Sequence, residues 1–196
     1  MKLTTSFLKK LNSYFLLVLV LGSFSGFSQS AGDIAFIAYN ADGGRDFAFV
    51  ALTEISSGTS IYFTDNEWDG SAFNDLNETE LTWTASSTVS AGTVVVFTDT
   101  NSSGTISVST GSTSGNLVHA ASNECIWALD AAPAISYGST PTFYGVICND
   151  LQGNDTVSGT GLTLGSHGID FNNDKDGFEY NGSRTGQTSF SGYLTS

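Results

Sequence analysis

Apolar residues recur at every second position in short runs along this chain, and that period constrains what it can fold into more than any other feature. Ile34 and Phe36, Phe47 and Phe49, Ile61 and Phe63, Leu81 and Trp83, and Val94 and Val96 are the clearest pairs. Side chains of an extended strand point alternately to its two faces, so a period of two puts each pair on one half-buried face of a sheet. Clusters rich in Gly, Ser, Thr, Asn and Asp (NADGGRD, SSGT, NEWDGS, SAGT, TNSSG, STGSTSG) separate the runs, and those residues favour turns. No segment keeps the i, i+3, i+4 spacing of an amphipathic helix through three turns. Strands about every 8 to 14 residues, with 22 glycines and two prolines, predict an all-β chain: an antiparallel, immunoglobulin-like β-sandwich of roughly 8–10 strands with little helix. The most polar part, near 100–123, is expected to form a long loop or an edge hairpin.

The first thirty residues are of another kind. Lys2, Lys9 and Lys10 form a positive leader, Tyr14 to Leu21 is a short apolar run, and Ser25, Gly26, Ser28 and Ser30 are small. Residues 1–30 therefore read as a secretory signal peptide cut after Gln29 or Ser30, leaving a single domain over 31–196 in an extracellular or cell-surface setting. The apolar run is shorter than the about 20 residues a spanning helix needs, and no cysteine near the junction offers a lipid anchor. Arg45, Lys175 and Arg184 would then stand alone against 19 acidic residues, a net charge near −16. Such a surface cannot neutralise phosphates, which argues against nucleic acid and anionic membranes as partners. Neutral glycans, cations and basic surfaces remain compatible with it.

Cys125 and Cys148 lie in strand-like apolar contexts, ECIWAL and YGVICND. In an exported protein two readings stand: the thiols pair, closing a loop of about 24 residues worth about 3 kcal/mol, or they stay buried and free. Neither has the CxxC spacing or His neighbour of a redox or nucleophilic site.

The order IAFIAYN, FAFVAL, SIYFTDNEW, LTWTA, VSAGTVVVF and NECIWAL, from Ile34 to about Leu129, resembles the lamin-tail-like domains of secreted bacterial proteins. It is also similar to exported repeats that open on GDIAF and carry YFTDNEW. The resemblance implies an immunoglobulin-like sandwich used for attachment or substrate targeting. It does not extend to the C-terminal third.

Chemistry is expected in the acidic clusters, because carboxylates and amides at alternate positions can turn several oxygens toward one hard cation. In DFNNDKDGFEY, Asn172, Asp174, Asp176 and Gly177 follow the N-x-D-x-D-G spacing of the first half of an EF-hand loop. Ser183 stands where that loop has its bidentate Glu, so the expected site is a looser calcium loop over 170–179, with Asp170 or Glu179 contributing; the competing reading is a solvated acidic turn. A second cluster, Asp65, Asn66, Glu67, Trp68 and Asp69, sits in the turn after a strand. An exposed Trp68 beside Asp65, Glu67 and Asp69 would suit a sugar, the ring stacking on a pyranose face while the acids accept hydroxyl protons; the alternative is a core aromatic at a strand end. Trp83 and Trp127 read as core.

A catalytic set is thin. His119 and His167 lack HxxxH or HExxH spacing, and the Gly111 to Gly115 window has Thr at its centre where a GxSxG elbow has Ser. The sequence thus favours a secreted, non-catalytic module that attaches to a polysaccharide or a cell-surface or matrix component, with calcium as a stabilising ion. A small glycan-directed hydrolase using Asp65, Glu67 or Asp69, and a structural envelope or matrix protein, are the alternatives.

Overall fold

A computed structural model describes residues 29–153, 155–171, 176–182 and 192. The expected leader falls outside these residues except for its last two positions. Eleven strands are described: β1 (Ile34–Asn40), β2 (Asp46–Ala51), β3 (Ser60–Thr64), β4 (Glu80–Thr84), β5 (Val94–Thr98), β6 (Ser107–Val108), β7 (Ser112–Gly115), β8 (Cys125–Leu129), β9 (Phe143–Cys148), β10 (Gly168–Asp170) and β11 (Gly177–Glu179). They form two sheets, β11-β1-β2-β5-β6 and β10-β9-β8-β3-β4-β7, so the expected all-β sandwich is what the chain adopts. One pair departs from the antiparallel expectation: β10 runs parallel to β9.

Four of the period-two pairs, on β1 to β4, meet between the sheets. On β5 the expected pair is corrected, since Val95 and Phe97 enter the core while Val94 and the exposed Val96 lie on the outer face. Its run of three valines offers apolar side chains to both sides. Phe36, Phe47, Phe49, Phe63, Trp83 and Phe97 form an aromatic centre, with Phe47 and Phe97 stacked at 4.4 Å and 10°. Rings of this size each remove a large apolar area from water, on the order of 2–3 kcal/mol apiece. The polar 100–123 segment is neither a single loop nor a single hairpin. Its two short strands part company, β6 capping the edge of the first sheet and β7 the edge of the second.

Burial does not stop at the inter-sheet core. Every residue of β8 and β9 is buried, because the outer face of the second sheet carries its own apolar cluster: Trp68, Phe73, Trp127, Leu129, Phe143, Val146 and Leu162 with the two cysteines. The turns after β3 and between β9 and β10 supply that cover. Cys125 and Cys148 lie directly opposite each other in the β8–β9 register and form a disulfide.

Candidate cation site

The strand registers bring many chain segments to one end of the sandwich. Asn40 faces Asp46 and Gly177, Thr64 faces Glu80, and Cys148 faces both Cys125 and Asp170. Hydrogen bonds tie the two sheets together there: His119 Nε2 donates to Asn40 O at 2.9 Å, and Thr100 Oγ1 donates to Leu117 O at 2.8 Å. The Tyr39 hydroxyl donates to Ala120 O.

Asp65, Glu78 and Glu124 converge at this end, each offering a carboxylate oxygen, and these oxygens all lie within 4.8 Å of one another. Asp65 follows β3, Glu78 precedes β4 and Glu124 precedes β8, so adjacent strand ends deliver the three acids. Asp65 is held hard: the Thr79 N–H donates to its Oδ1 at 2.9 Å, and the Thr79 hydroxyl donates to the same carboxylate. The Thr64 hydroxyl donates to Thr79 O at 2.9 Å, and Asn66 Nδ2 donates to Thr64 Oγ1 at 2.7 Å. Glu124 is fixed through its main chain. Its N–H donates to Asn149 Oδ1 at 2.8 Å and its C=O accepts from Asn149 N at 3.0 Å. Asn149 follows the disulfide-bonded Cys148 and Glu124 precedes Cys125, so the covalent link holds both ends of that pair.

Three carboxylates so close cannot all be ionised cheaply in a partly dry site. Burial pushes the Glu124 carboxyl up to about 9, with the charges of Glu78 and Asp65 adding to it. Glu78 is exposed as a residue, yet loss of solvent around its carboxyl, then Asp65 and Glu67, push it up to about 8. Burial also raises Asp65, against the lowering hydrogen bonds of Thr79. A metal ion supplies the counter-charge such a group lacks. Asp65, Glu78 and Glu124 can therefore hold a metal ion, and in exchange would release the protons that their raised affinities retain.

The residues singled out from the sequence fare differently. Asp65 belongs to the group. Glu67 is half-buried and raises the pKa of Asp65, Glu78 and Asp155 by its charge, although it is not one of the three that meet. Trp68 is not the exposed platform that sugar stacking needs: it is 0% exposed. Its indole N–H donates to Ser158 O at 2.9 Å, its main-chain N–H donates to Asp155 Oδ1 at 3.0 Å, and its ring packs on Phe73 and Phe143. Asp69 is exposed and makes a local turn, accepting from Ser71 N at 2.8 Å and Ala72 N at 2.9 Å; these bonds hold its carboxyl below the usual range.

Of the expected calcium loop, Asp170 and Asp176 are described and sit at this same end. Asp170 Oδ2 accepts from Leu151 N at 3.4 Å, and the Asp176 carbonyl accepts from Ala41 N at 2.6 Å. Asn172 and Asp174 lie outside the described residues, and Glu179 lines a groove on the outer face of the first sheet.

Glu78 and Glu124 escaped the sequence reading. Neither stands in a spaced motif with Asp65, and only the β3–β4 and β3–β8 pairings bring them together.

A fourth acid adjoins the group. Burial pushes Asp155 up to about 7; the Trp68 N–H opposes the rise, and so does the nearby Trp127 indole N–H, which finds no partner in full hydrogen-bond geometry. His119 is buried with Nδ1 unpaired among the described residues, and burial lowers it to about 4. Its bond to a carbonyl makes Nε2 the protonated nitrogen. No protein-family model matches the chain, and no curated protein or solved structure matches it.

Proposed function

We propose that this chain is an exported, non-catalytic attachment module of lamin-tail-like type whose acidic end holds calcium and binds a polysaccharide or a cell-surface or matrix component. The observation that carries this reading is the convergence of Asp65, Glu78 and Glu124 from separate strand ends onto one small volume. Oxygens on opposite sides of a calcium ion are about 4.6–5.2 Å apart, twice the Ca–O distance, whereas magnesium spans only about 4 Å. Carboxylate oxygens within 4.8 Å of one another can surround either ion; calcium is the one whose looser geometry tolerates ligands delivered by separate strand ends. Calcium takes six to eight oxygens. Three carboxylates leave positions for water or for vicinal hydroxyls of a glycan, which gives the ion a binding role as well as a stabilising one.

Calcium titration followed by thermal unfolding, beside a glycan array read with calcium and with chelator, tests the proposal. The expected result is a rise in Tm at millimolar calcium, the range of extracellular modules, that Glu124→Gln abolishes, and glycan or surface binding that chelator removes. No change in Tm up to about 10 mM calcium would sink the cation reading.

A glycan-directed hydrolase is the second reading. Its motive is Glu78, a carboxyl held protonated near neutral pH beside other acids, as a general acid requires. Turnover of a polysaccharide abolished by Glu78→Gln supports it; binding without turnover excludes it.

A further inference from the structure

Two edges of the sandwich lack the devices that ordinarily keep strand edges from pairing. The described edge strands are β11 and β6 in the first sheet and β10 and β7 in the second. β10 carries Asp170 and β11 carries Glu179, and a charge on an edge opposes the approach of another strand. β6 (SV) and β7 (STSG) carry neither a charge nor a proline, and their registers run without a bulge. Three residues separate them, so both edges lie on one flank. The link closes the sandwich there: Ser109 N donates to Val96 O at 3.0 Å in the first sheet, and the Trp83 indole N–H of the second donates to Thr110 O at 2.7 Å. The flank falls within residues 100–123, the longest stretch of the chain without Asp, Glu, Lys or Arg. In a chain of net charge −13, a neutral flank is where a second copy meets least repulsion.

We propose that β7 pairs antiparallel with β7 of a second copy of this chain, about a twofold axis at Thr113. Backbone directions pick that residue. Antiparallel partners exchange hydrogen bonds at every second residue pair. Asn116 N donates to Glu80 O at 3.0 Å, so in the β4–β7 register the bonded pairs are Thr82–Ser114 and Thr84–Ser112. Thr113 therefore turns its N–H and C=O away from β4, toward a side where no described strand lies. A twofold axis between identical antiparallel strands falls between one residue and its own copy, and Thr113 placed there donates one bond and accepts one. Ser112 then faces the partner's Ser114, and Gly111 faces the partner's Gly115. The Thr–Thr pair adds cross-strand stabilisation of its own, and its small neighbours leave it unobstructed. Gly111 and Gly115, at φ 85° and 84°, end the regular extended run, so the contact is short and the association weak and reversible. Charge selects a second copy over a basic partner, because the flank holds nothing that attracts a cation. The pairing is independent of any ion at the acidic end.

Sedimentation velocity over a range of protein concentrations tests the pairing. A monomer–dimer equilibrium is expected that tightens as sodium chloride rises from about 0.01 to 0.15 M, because salt screens the repulsion between two acidic copies and leaves backbone bonds in place. Thr113→Pro removes the outward N–H and no bond to β4, a position where an edge strand tolerates proline. Twofold symmetry makes that one change delete two hydrogen bonds, so the dimer should weaken at least about tenfold while Tm is little changed. If that variant unfolds, Ser114→Asp carries the same comparison: it brings two acids close to the axis and should weaken the dimer most at low salt. Thr113→Cys should form a disulfide-linked dimer under mild oxidation, since Cα atoms of a bonded pair lie about 5.5 Å apart and the native cysteines are already paired. No association up to about 1 mM overturns the proposal. So does association that salt weakens, which would mark a charge-driven contact, or a dimer that neither Thr113→Pro nor Ser114→Asp weakens, which would place the contact on another face.

Discussion

At the scale of single residues, the acidic end makes stability depend on pH in a direction that can be worked out. Glu124 and Glu78 have folded pKa values of about 9 and about 8, well above their ordinary 4.5. Between those limits the folded chain binds more protons than the unfolded one, so stability falls as pH rises. His119 acts oppositely. Its folded value of about 4 lies below the ordinary 6.5, so the stability of its neutral buried form is present above pH 6.5 and lost as pH falls toward 4. Above pH 6.5 the carboxylates act unopposed by His119. Metal-free protein should therefore lose Tm steadily between pH 6.5 and 9, and Glu124→Gln, which mimics the protonated acid, should flatten that decline. A Tm that rises over this interval would contradict the assigned burial. Trp68 offers a second test at this scale. Gly159 has φ +75°, and a Cβ there would come within 2.1 Å of Gly70 O. Gly159→Ala should displace the neighbouring Ser158 carbonyl from the Trp68 indole and cost at least about 2 kcal/mol in denaturant unfolding. A cost below about 0.5 kcal/mol would mean that the turn is not fixed as described.

At the scale of elements, the Cys125–Cys148 bridge joins β8 to β9 just where Glu124 and Asn149 lock the site. Closing a loop of 23 residues corresponds to about 3 kcal/mol of chain entropy. The double change Cys125→Ala and Cys148→Ala is expected to lower unfolding free energy by about that amount and to weaken calcium binding several-fold, measured by titration. Unchanged affinity would show that the Glu124 to Asn149 bonds hold the site without it. Elements are also where the sequence was most legible. Period two placed β1 to β4 because each buries one set of alternate residues between the sheets, whereas on β5 the run VVVF is apolar at both sets and the inward one is Val95 and Phe97. Yet FAFVAL is apolar at both sets of positions, the mark of a strand buried on both faces, and period alone hides that. Trp68 misled because its neighbours are acids in a turn. Its cover, Asp155 to Ser158, lies some 90 residues on, and nothing local announces it. Glu78 and Glu124 were illegible for the same reason, since pairing of distant strands makes the site and spacing does not.

At the scale of the whole molecule, two electrostatic effects must be separated before any calcium response means a site. The described residues include a single Lys or Arg, Arg45, among many acids, so self-repulsion opposes the compact state everywhere on the surface. Screening relieves that repulsion without any site: the Debye length shrinks from about 30 Å at 0.01 M salt to about 8 Å at 0.15 M. Sodium chloride over that range should therefore raise Tm in the native chain and by a similar amount in Glu124→Gln. A site does something screening cannot. At a fixed ionic strength of 0.15 M, millimolar calcium should raise Tm of the native chain further and more than magnesium does, because magnesium sheds its water reluctantly and demands near-ideal octahedral geometry. Glu124→Gln should keep the salt effect and lose the calcium effect. If both ions act equally, or if Glu124→Gln responds to calcium as the native chain does, the acidic end works by its total charge alone and the three converging carboxylates hold no specific ion.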